Sequence, residues 1–389
     1  MRSTSARAAV VTGTVALLTL VGCSPVATEG DSSDITVTIG WTPPDITGVF
    51  QTATDYFEQA AEGASEAGIT VEIISRSPAT HQAFADQLAI VEDFVTQRVD
   101  VIAISPADTE AIKPAIRLAN EAGIPVVMVN LLETQSDIEV ASYIGFDNGE
   151  AAQVSGYAVL DYFGGPGVLG AGEQVEVEDG AYLDLDWWES VYDGVDLSGI
   201  EGRGVIIEGI AGTFFSQSRV DGFRSVVDQA PGIEILAEPI AADWNRELGT
   251  DAADSFLSRF GESELDFIWA ASNEMGLGAA AAAEQANRLD ASGGATPSSG
   301  GVAIFTNDVT PESVDAIASM RMIAETHHGF PEWGWFGTEF AVRLACGLDV
   351  PESYDIRPRT VWEGNTELFY PQPALPTIDW DEIAQNCAS

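Results

Sequence analysis

DVIAISPADTEAIKPAIRLANEAGIPVVMVN, residues 100–130, places two apolar runs on either side of a helical segment. VDVIAIS (99–105) and IPVVMVN (124–130) are apolar at nearly every position, as expected for strands covered on both faces in a parallel sheet. The segment between them, from about 109 to 121, is predicted to be a helix. A strand, a helix and a second strand in this order predict a βαβ unit.

The same alternation extends along the rest of the chain. VTIGW and ITVEII precede the unit, with predicted helices at about 51–67 and 82–97. After it the pattern restarts, with strands predicted at YIGFDN, GVIIEG, IEILAEPI, LDFIWAAS, VAIFTND and MIAET and helices between them. The sequence therefore predicts an α/β protein with two similar doubly wound halves in series.

Two segments interrupt this alternation. Residues 164–201 are rich in Gly, Asp and Trp, and we interpret them as a surface insertion that covers one lobe with solvated acids. DASGGATPSSGG (290–301) has the composition of a flexible loop.

The N-terminus predicts export. Two arginines precede an apolar run from Ala8 to Val21, which is too short to span a bilayer and typical of a signal peptide. The run ends in LVGC (20–23), which resembles the lipobox of bacterial lipoproteins. That resemblance implies a signal peptide at 1–22, lipidation of Cys23 and a flexible tether at 23–33. The alternative is an ordinary signal peptide followed by a cysteine that occurs by chance.

Two cysteines follow the tether, Cys346 and Cys387. A pair in an exported chain permits one disulfide, which would attach the C-terminal tail to the body of the protein. Two free thiols are the alternative at this stage.

The charge is strongly negative. Asp and Glu number 61 against 16 Lys and Arg, for a formal net charge of −45, and Lys113 is the only lysine. Such a chain repels nucleic acids and anionic membrane surfaces, which excludes both as partners. We interpret the charge as an adaptation to high salt, which screens self-repulsion. A cation-binding role is the alternative, although the acids are spread over the whole chain.

Motifs of common enzymes are absent from the sequence, including G-x-S-x-G, the phosphate-binding G-x-x-x-x-G-K-[ST] and H-E-x-x-H. HHGFPEWGW (327–335) holds two of the 3 histidines. Adjacent residues on a strand point to opposite faces, so His327 and His328 are not expected to share a metal. We therefore predict neither a metal nor a cofactor, and no catalytic residues.

Polar and aromatic residues follow the predicted strands at their carboxyl ends, where ligands bind in open α/β sheets. They are Trp41, Asn130, Phe214, Phe215, Trp244, Asn245, Ser272, Asn273, Asp308 and His328. The loop TPPDITGVF (42–50) adds Phe50. Asn, Ser and Asp also cap helices at such positions, which is the alternative for each of them. Aromatic residues do not cap helices.

Several stretches together resemble the ribose/galactose-type (type 1) periplasmic sugar-binding proteins of ABC importers. They are residues 100–130, GIAGTFFSQSRVDGF, AADWNRELG, SNEMGLGAAAA and FTNDVTPESVDAI. The resemblance covers residues 34–365. It implies two Rossmann-like lobes joined by a hinge with crossings near 130–146, 326–330 and 350–356. The implied N-terminal lobe is 34–142 plus 330–352, the C-terminal lobe is 143–329 plus 353–370, and 371–389 is a tail.

The resemblance also implies roles for single residues. Asp308 matches an aspartate that bonds sugar hydroxyls, Trp244 an aromatic that packs on the sugar, and Ser272 or Asn273 an asparagine of the site. Asn130 stands where the family often has aspartate, and His328 or Gly329 where the ribose binder has glutamine. Gln217 stands where the ribose binder has an arginine and is expected to contact the ligand. Leu131 replaces a second ribose-gripping arginine, and we assign Arg219 to the following helix instead. The expected ligand is thus a neutral polyhydroxylated solute other than ribose.

These expectations combine into a monomeric, lipid-anchored solute-binding protein at the outer face of the cell membrane that delivers its ligand to an ABC permease. Two alternatives remain at this stage. The same fold could serve a signalling receptor as a ligand sensor, or the chain could be a secreted hydrolase.

Overall fold

The computed structural model describes residues 35–170, 172, 175–177, 181–290 and 300–387. The predicted signal peptide (1–22), Cys23 and the tether (23–33) lie outside the described residues, as does nearly all of the loop at 290–301. None of the helices described is long and apolar enough to cross a membrane.

Strands and helices alternate along most of the chain. The strands are β1 (Ile35–Thr42), β2 (Ile69–Ser75), β3 (Val101–Ile104), β4 (Val126–Val129), β5 (Ser142–Gly145), β6 (Glu201–Glu208), β7 (Gly232–Ile235), β8 (Ile240–Ala241), β9 (Phe267–Ala270), β10 (Ala303–Asp308), β11 (Ala324–His327), β12 (Ser353–Asp355) and β13 (Arg359–Trp362). The helices are α1 (Gly48–Glu66), α2 (Phe84–Gln97), α3 (Lys113–Glu121), α4 (Asn148–Tyr162), α5 (Leu185–Tyr192), α6 (Phe214–Val227), α7 (Arg246–Arg259), α8 (Asn273–Gln285), α9 (Pro311–Ala318), α10 (Phe330–Ala345) and α11 (Trp380–Cys387).

Two sheets share one topology. The first has the order β12-β5-β4-β3-β1-β2 and the second β13-β11-β10-β9-β6-β7, with β8 extending beside β6. In each sheet the strand order reverses at a topological switch point, which lies between β1 and β3 in the first sheet and between β6 and β9 in the second. Pairing is parallel except between β11 and β13. The predicted class, two doubly wound α/β lobes, is confirmed.

Burial explains why these stretches form strands. Every residue of β3, β4, β5 and β9 is buried, because helices cover both faces of each sheet. Elements follow local signals where the sequence provides them. Helix α9, for example, begins at a capping box in which Thr310 and Ser313 bond each other's backbone, and Pro311 follows in the first turn.

Strand pairing moves two of the expected lobe boundaries. The N-terminal lobe was expected to end at residue 142, but β5 pairs with β4 through Ile144. Residues from 353 onward were assigned to the C-terminal lobe, but β12 pairs with β5 in the first sheet. The chain therefore crosses between the lobes at 146–147, 328–329 and 356–358, so the second crossing lies within the predicted range and the first and third lie at or just beyond the ends of theirs. The positions of the crossings depend on which strands pair across each sheet. The residue pattern of a single strand does not reveal its partner.

The segment at 164–201 is more than an acidic cover. Leu169, Leu183, Trp188 and Tyr192 belong to the core of the second lobe, and Trp188 is completely buried. The indole Nε1 of Trp188 donates to Thr360 Oγ1 at 2.8 Å. The acidic residues Asp186 and Glu189 of this segment lie on the outer side of α5, where they are exposed. The prediction of a merely solvated cover was wrong, because composition did not show which face the tryptophans occupy.

A disulfide joins Cys346, at the end of α10, to Cys387, the last residue of α11. Helix α11 buries Trp380 and Ile383 against the first lobe. The C-terminal tail is thus part of that lobe.

Candidate ligand-binding site

A cavity lies where the carboxyl ends of strands from both sheets meet. Its lining comes from the first lobe and the crossing at 328–329 (Pro44, Asp45, Thr47, Val49, Phe50, His81, Pro106, Ala107, Asn130, Phe330 and Trp333) and from the second lobe (Phe215, Arg219, Trp244, Ser272, Asn273, Glu274 and Asp308). This is the crevice in which doubly wound sheets bind ligands, at the switch points of both halves.

Aromatic rings form much of the cavity wall. Phe50 lies 5.7 Å from His81 and 6.2 Å from Trp333 between ring centroids. His81 lies 6.5 Å from Trp244, which belongs to the other lobe. Such rings offer flat apolar faces to a ligand that has C–H bonds on one side.

A buried ion pair forms the polar end of the cavity. Arg219 Nη1 donates to Asp308 Oδ1 at 3.0 Å, and both residues are almost completely buried. Arg219 also bonds the Ala271 carbonyl (2.6 Å) and Asn148 Oδ1 (3.0 Å), and its guanidinium lies 5.3 Å from the ring of Trp244. The pair is held from several sides and carries no net charge.

The protonation states follow from this arrangement. Burial alone would raise the pKa of Asp308, but the charge of Arg219, assisted by His328 and the Asn273 N–H, outweighs burial and lowers it. Burial lowers the pKa of His328 to about 4, against the opposing effect of Asp308. At neutral pH the site therefore holds a carboxylate, a guanidinium and a neutral imidazole.

Two further carboxylates at the cavity are also paired. Asp45 Oδ2 lies 3.0 Å from His81 Nδ1. Glu274 accepts two bonds from Arg246, both at 2.9 Å. Each acid in the lining thus has a basic partner, so the cavity offers no unpaired carboxylate to a cationic ligand.

Several buried polar atoms of the lining have no hydrogen-bond partner among the described residues. They are Asn130 Oδ1, Ser272 Oγ, Asn273 Oδ1 and Trp333 Nε1. Leaving such atoms unsatisfied costs roughly 1–3 kcal/mol each. Acceptors, a donor and a hydroxyl together suit a ligand that both donates and accepts hydrogen bonds.

Three residues that line the cavity have a strained backbone. Asn130 (φ 66°), Trp244 (φ 61°) and Asp308 (φ 117°) have positive φ, although none is glycine. Positive φ is rare for a side chain as bulky as that of Trp, and strained residues cluster at functional sites. Here the strain fixes three of the side chains that line the cavity.

Seven of the twelve residues predicted to bind ligand line this cavity, namely Phe50, Asn130, Phe215, Trp244, Ser272, Asn273 and Asp308. Ser272 and Asn273 were each open to two roles, ligand binding or capping of the following helix. Ser272 occupies the cap position of α8 without making a side-chain cap bond. Asn273 instead donates its backbone N–H to Asp308 and its Nδ2 to Thr310.

Trp41, Phe214 and His328 lie behind the lining. Trp41 is completely buried in the first lobe, where its Nε1 donates to Thr54 Oγ1 at 2.8 Å. Phe214 packs against Phe215 and the apolar cluster of the first lobe. His328 stacks on Phe146 at 4.0 Å and reaches the cavity only through Asp308, 3.1 Å from its Nδ1.

Gln217 and Asn245 point elsewhere. Gln217 is exposed on α6 and bonds Asp221 one turn later at 2.7 Å. Asn245 caps α7 by accepting from the Leu248 N–H at 3.0 Å, which is the alternative role weighed for it. Neither residue lines the cavity.

Arg219 was assigned to the helix that follows the strand and not to the ligand site. It does belong to α6, as expected, but its guanidinium faces the cavity. Residues four apart lie on one face of a helix, so Phe215 in the site places Arg219 beside it. His81, Glu274, Phe330 and Trp333 were missed because they belong to loops or helix starts whose approach to the cavity depends on the packing of both lobes.

The part of the chain described by the structure contains no group of three or more His, Cys, Asp or Glu side chains arranged to hold a metal.

The sequence matches the family of the periplasmic binding protein domain over residues 39–349. Among curated proteins, the ribose import binding protein of Salmonella typhimurium is 25% identical over 272 residues, which are 70% of this chain and 74% of that protein.

Solved structures share the fold. A periplasmic solute-binding protein of an ABC transporter from Actinobacillus succinogenes, with bound D-allose, aligns with a TM-score of 0.67 and 18% identity over 86% of this chain and 100% of that one. An ABC transporter solute-binding protein from Bacillus halodurans, with bound myo-inositol, aligns with a TM-score of 0.65 and 21% identity. The alignment covers 87% of this chain and 98% of that one.

Proposed function

Because the chain belongs to the periplasmic binding protein domain family, we propose that it captures a neutral sugar or polyol between its lobes and delivers it to an ABC importer. The observation that carries this proposal is the combination of aromatic walls with buried polar atoms that lack partners, at Asn130, Ser272 and Asn273. Hydroxyl groups on a carbon ring suit both features, since the ring packs on aromatic faces while the hydroxyls bond the polar atoms.

The pairing of the acids that line the cavity supports a neutral ligand. Asp308 is paired with Arg219, Asp45 with His81 and Glu274 with Arg246. An additional charge on the ligand would lack a partner in a site with limited access to water, which is costly. The relatives with bound D-allose and myo-inositol hold neutral polyols of the kind expected here.

We further propose that the protein is anchored at the outer face of the membrane through Cys23 and acts as a monomer. The signal-like start, the lipobox-like LVGC and the polar tether support the anchor. Mass spectrometry of protein purified from membranes checks it. An acylated Cys23 at the mature N-terminus is expected, and a water-soluble chain with an unmodified Cys23 would contradict it.

A thermal-shift screen of sugars, polyols and nucleosides, in low and high salt, tests the ligand class. A true ligand raises Tm by mass action, about 2.7 kcal/mol of added stability when its concentration is 100 times Kd. If no neutral polyol shifts Tm in either salt, the proposed ligand class is wrong. Turnover of any library member, followed by product analysis, would instead indicate an enzyme.

Trp244→Ala tests the site with the ligand so found. Loss of this wall should cost about 2 kcal/mol of binding free energy, which is roughly thirtyfold in Kd. Trp187→Ala is the matched control, because Trp187 belongs to α5 and lies outside the cavity lining. Equal affinities of the two variants would show that the ligand binds elsewhere.

A further inference from the structure

The chain returns to the first lobe once more after the crossing at 356–358. Phe369 and Tyr370 belong to the core of the second lobe, whereas Ile378, Trp380 and Ile383 belong to that of the first. Residues 371–377, PQPALPT, make this additional crossing. We call them the C-terminal strap.

Both ends of the strap are firmly held. On the second lobe, Phe369 is 2% exposed, and the guanidinium of Arg359 lies 4.6 Å from its ring. On the first lobe, Trp335 Nε1 donates to the Pro376 carbonyl at 2.8 Å. Beyond it, Ile383 is completely buried, and the Cys346–Cys387 disulfide joins the last residue of α11 covalently to the end of α10.

The strap is short and rich in proline. Pro371, Pro373 and Pro376 occupy three of its seven positions, and proline-rich segments are extended and semi-rigid. Most of its residues are exposed, so the strap adds little to either core. Its physical effect is to set a maximum distance between its two anchored ends.

We infer that the C-terminal strap restrains the separation of the two lobes and that the Cys346–Cys387 disulfide is the clamp that makes this restraint permanent. The crossings at 146–147, 328–329 and 356–358 are two or three residues long, and rotation about them moves the lobes apart. Because the strap is tied to both cores, rotation beyond its reach requires α11 to leave the first lobe. The disulfide keeps the end of α11 attached to α10 and so opposes that departure. The inference concerns the ligand-free motion and does not depend on which solute binds.

Slackening the strap tests this directly. The variant inserts Gly-Ser-Gly-Ser between Ala374 and Leu375, which leaves α11 and the disulfide in place and adds up to about 13 Å of reach. Click-reactive residues at Glu92 on α2 and Asp254 on α7, both exposed, carry spin labels without using cysteine. Pulsed electron paramagnetic resonance then measures the distance between the lobes in the ligand-free protein.

We expect the slackened variant to gain a population at distances several ångströms longer than those of the native chain. The matched control places the same insertion between Glu262 and Ser263, in an exposed loop within the second lobe, and should leave the distances unchanged. Thiol counting by mass spectrometry verifies that the disulfide is intact in both variants.

Cys346→Ser combined with Cys387→Ser gives the second measurement. The double variant should show the same long-distance population, increasing with temperature as α11 detaches. Native distances in the slackened variant would overturn the inference even if the double variant opens, because the opening would then come from loss of α11 rather than from strap length.

Discussion

Asn130 has two features that each raise the free energy of the unliganded protein. Its backbone lies in the left-handed region (φ 66°), and its buried side-chain oxygen has no partner among the described residues. Both unfavourable features are explained if a ligand donates a hydrogen bond to that oxygen. Asparagine tolerates this conformation better than most residues.

Asn130→Gly separates the two costs. Glycine accepts positive φ without strain, so the unliganded protein should keep or slightly raise its Tm. Ligand affinity should fall by roughly 1–2 kcal/mol, because a hydrogen bond is lost. Calorimetric titration of the variant measures this. An unchanged Kd would show that Asn130 does not contact the ligand.

Asp161 shows what burial does to a single carboxylate outside the site. Burial raises its pKa to about 6, although the N–H groups of Val168 and Leu169 bond its Oδ2 and partly oppose the shift. Its Oδ1 lacks a partner in the described part of the chain. The folded state therefore retains this proton to higher pH than the unfolded chain does.

Asp161→Asn should stabilise the protein above pH 6. With a raised folded-state pKa, the stability from Asp161 is present below pH 4 and is lost as pH rises through about 6. At neutral pH the variant should gain at most about 3 kcal/mol, since one pKa unit corresponds to 1.36 kcal/mol. Urea denaturation at pH 4 and pH 7.5 checks this. A gain of equal size at both pH values would contradict a titration effect.

At the scale of elements, α5 determines whether the segment at 164–201 is a cover or part of the core. Trp188 stacks on Tyr157 of α4 with nearly parallel rings, and its indole bonds Thr360 on β13. The helix therefore joins α4 to the strand that follows the crossing at 356–358. Asp184 supports the same contact, since it caps α5 and lies 2.6 Å from Arg357.

Trp188→Ala should destabilise the protein by about 3–5 kcal/mol, the usual cost of truncating a buried aromatic side chain. Trp187→Ala, on the neighbouring half-buried position, should cost much less. The free energy of unfolding from denaturant titration compares the two variants. If both variants lost an equal and small free energy of unfolding, α5 would be a surface cover and not part of the core.

At the scale of the whole molecule, the negative net charge is the main electrostatic influence on the stability of the folded state. A net charge of −45 destabilises any compact state through self-repulsion, and the Debye length falls from about 10 Å at 0.1 M salt to about 3 Å at 1 M. Ion pairs such as Arg246 with Glu274 and Glu312 neutralise few of the acids.

Tm should therefore rise steeply as KCl increases from 0.1 to about 2 M, because screening removes repulsion over distances beyond the Debye length. Sucrose at equal osmolality is the control, since it stabilises proteins without screening charge. A Tm that responds equally to KCl and sucrose would contradict an electrostatic origin and the proposed adaptation to salt.

The sequence by itself determined the fold class and the region of the site. Fully apolar four-residue strands such as VIAI and VVMV require cover on both faces, and their alternation with helical segments indicates that helices on both sides of a parallel sheet provide it. Ligands bind at the carboxyl ends of such strands, so Asn130, Trp244 and Asp308 could be selected from their positions alone.

Only the tertiary structure decided which of those side chains reach the cavity. Trp41 and Trp244 both follow strands, yet Trp41 turns into the first core and Trp244 into the cavity. Arg219, in contrast, enters from a helix to pair with Asp308. Periodicity fixes the faces of each element, but the face that meets the ligand depends on contacts between residues far apart in sequence. The lobe crossings and the C-terminal strap were settled in the same way, by the strand pairing of β5 with β12 and the packing of α11.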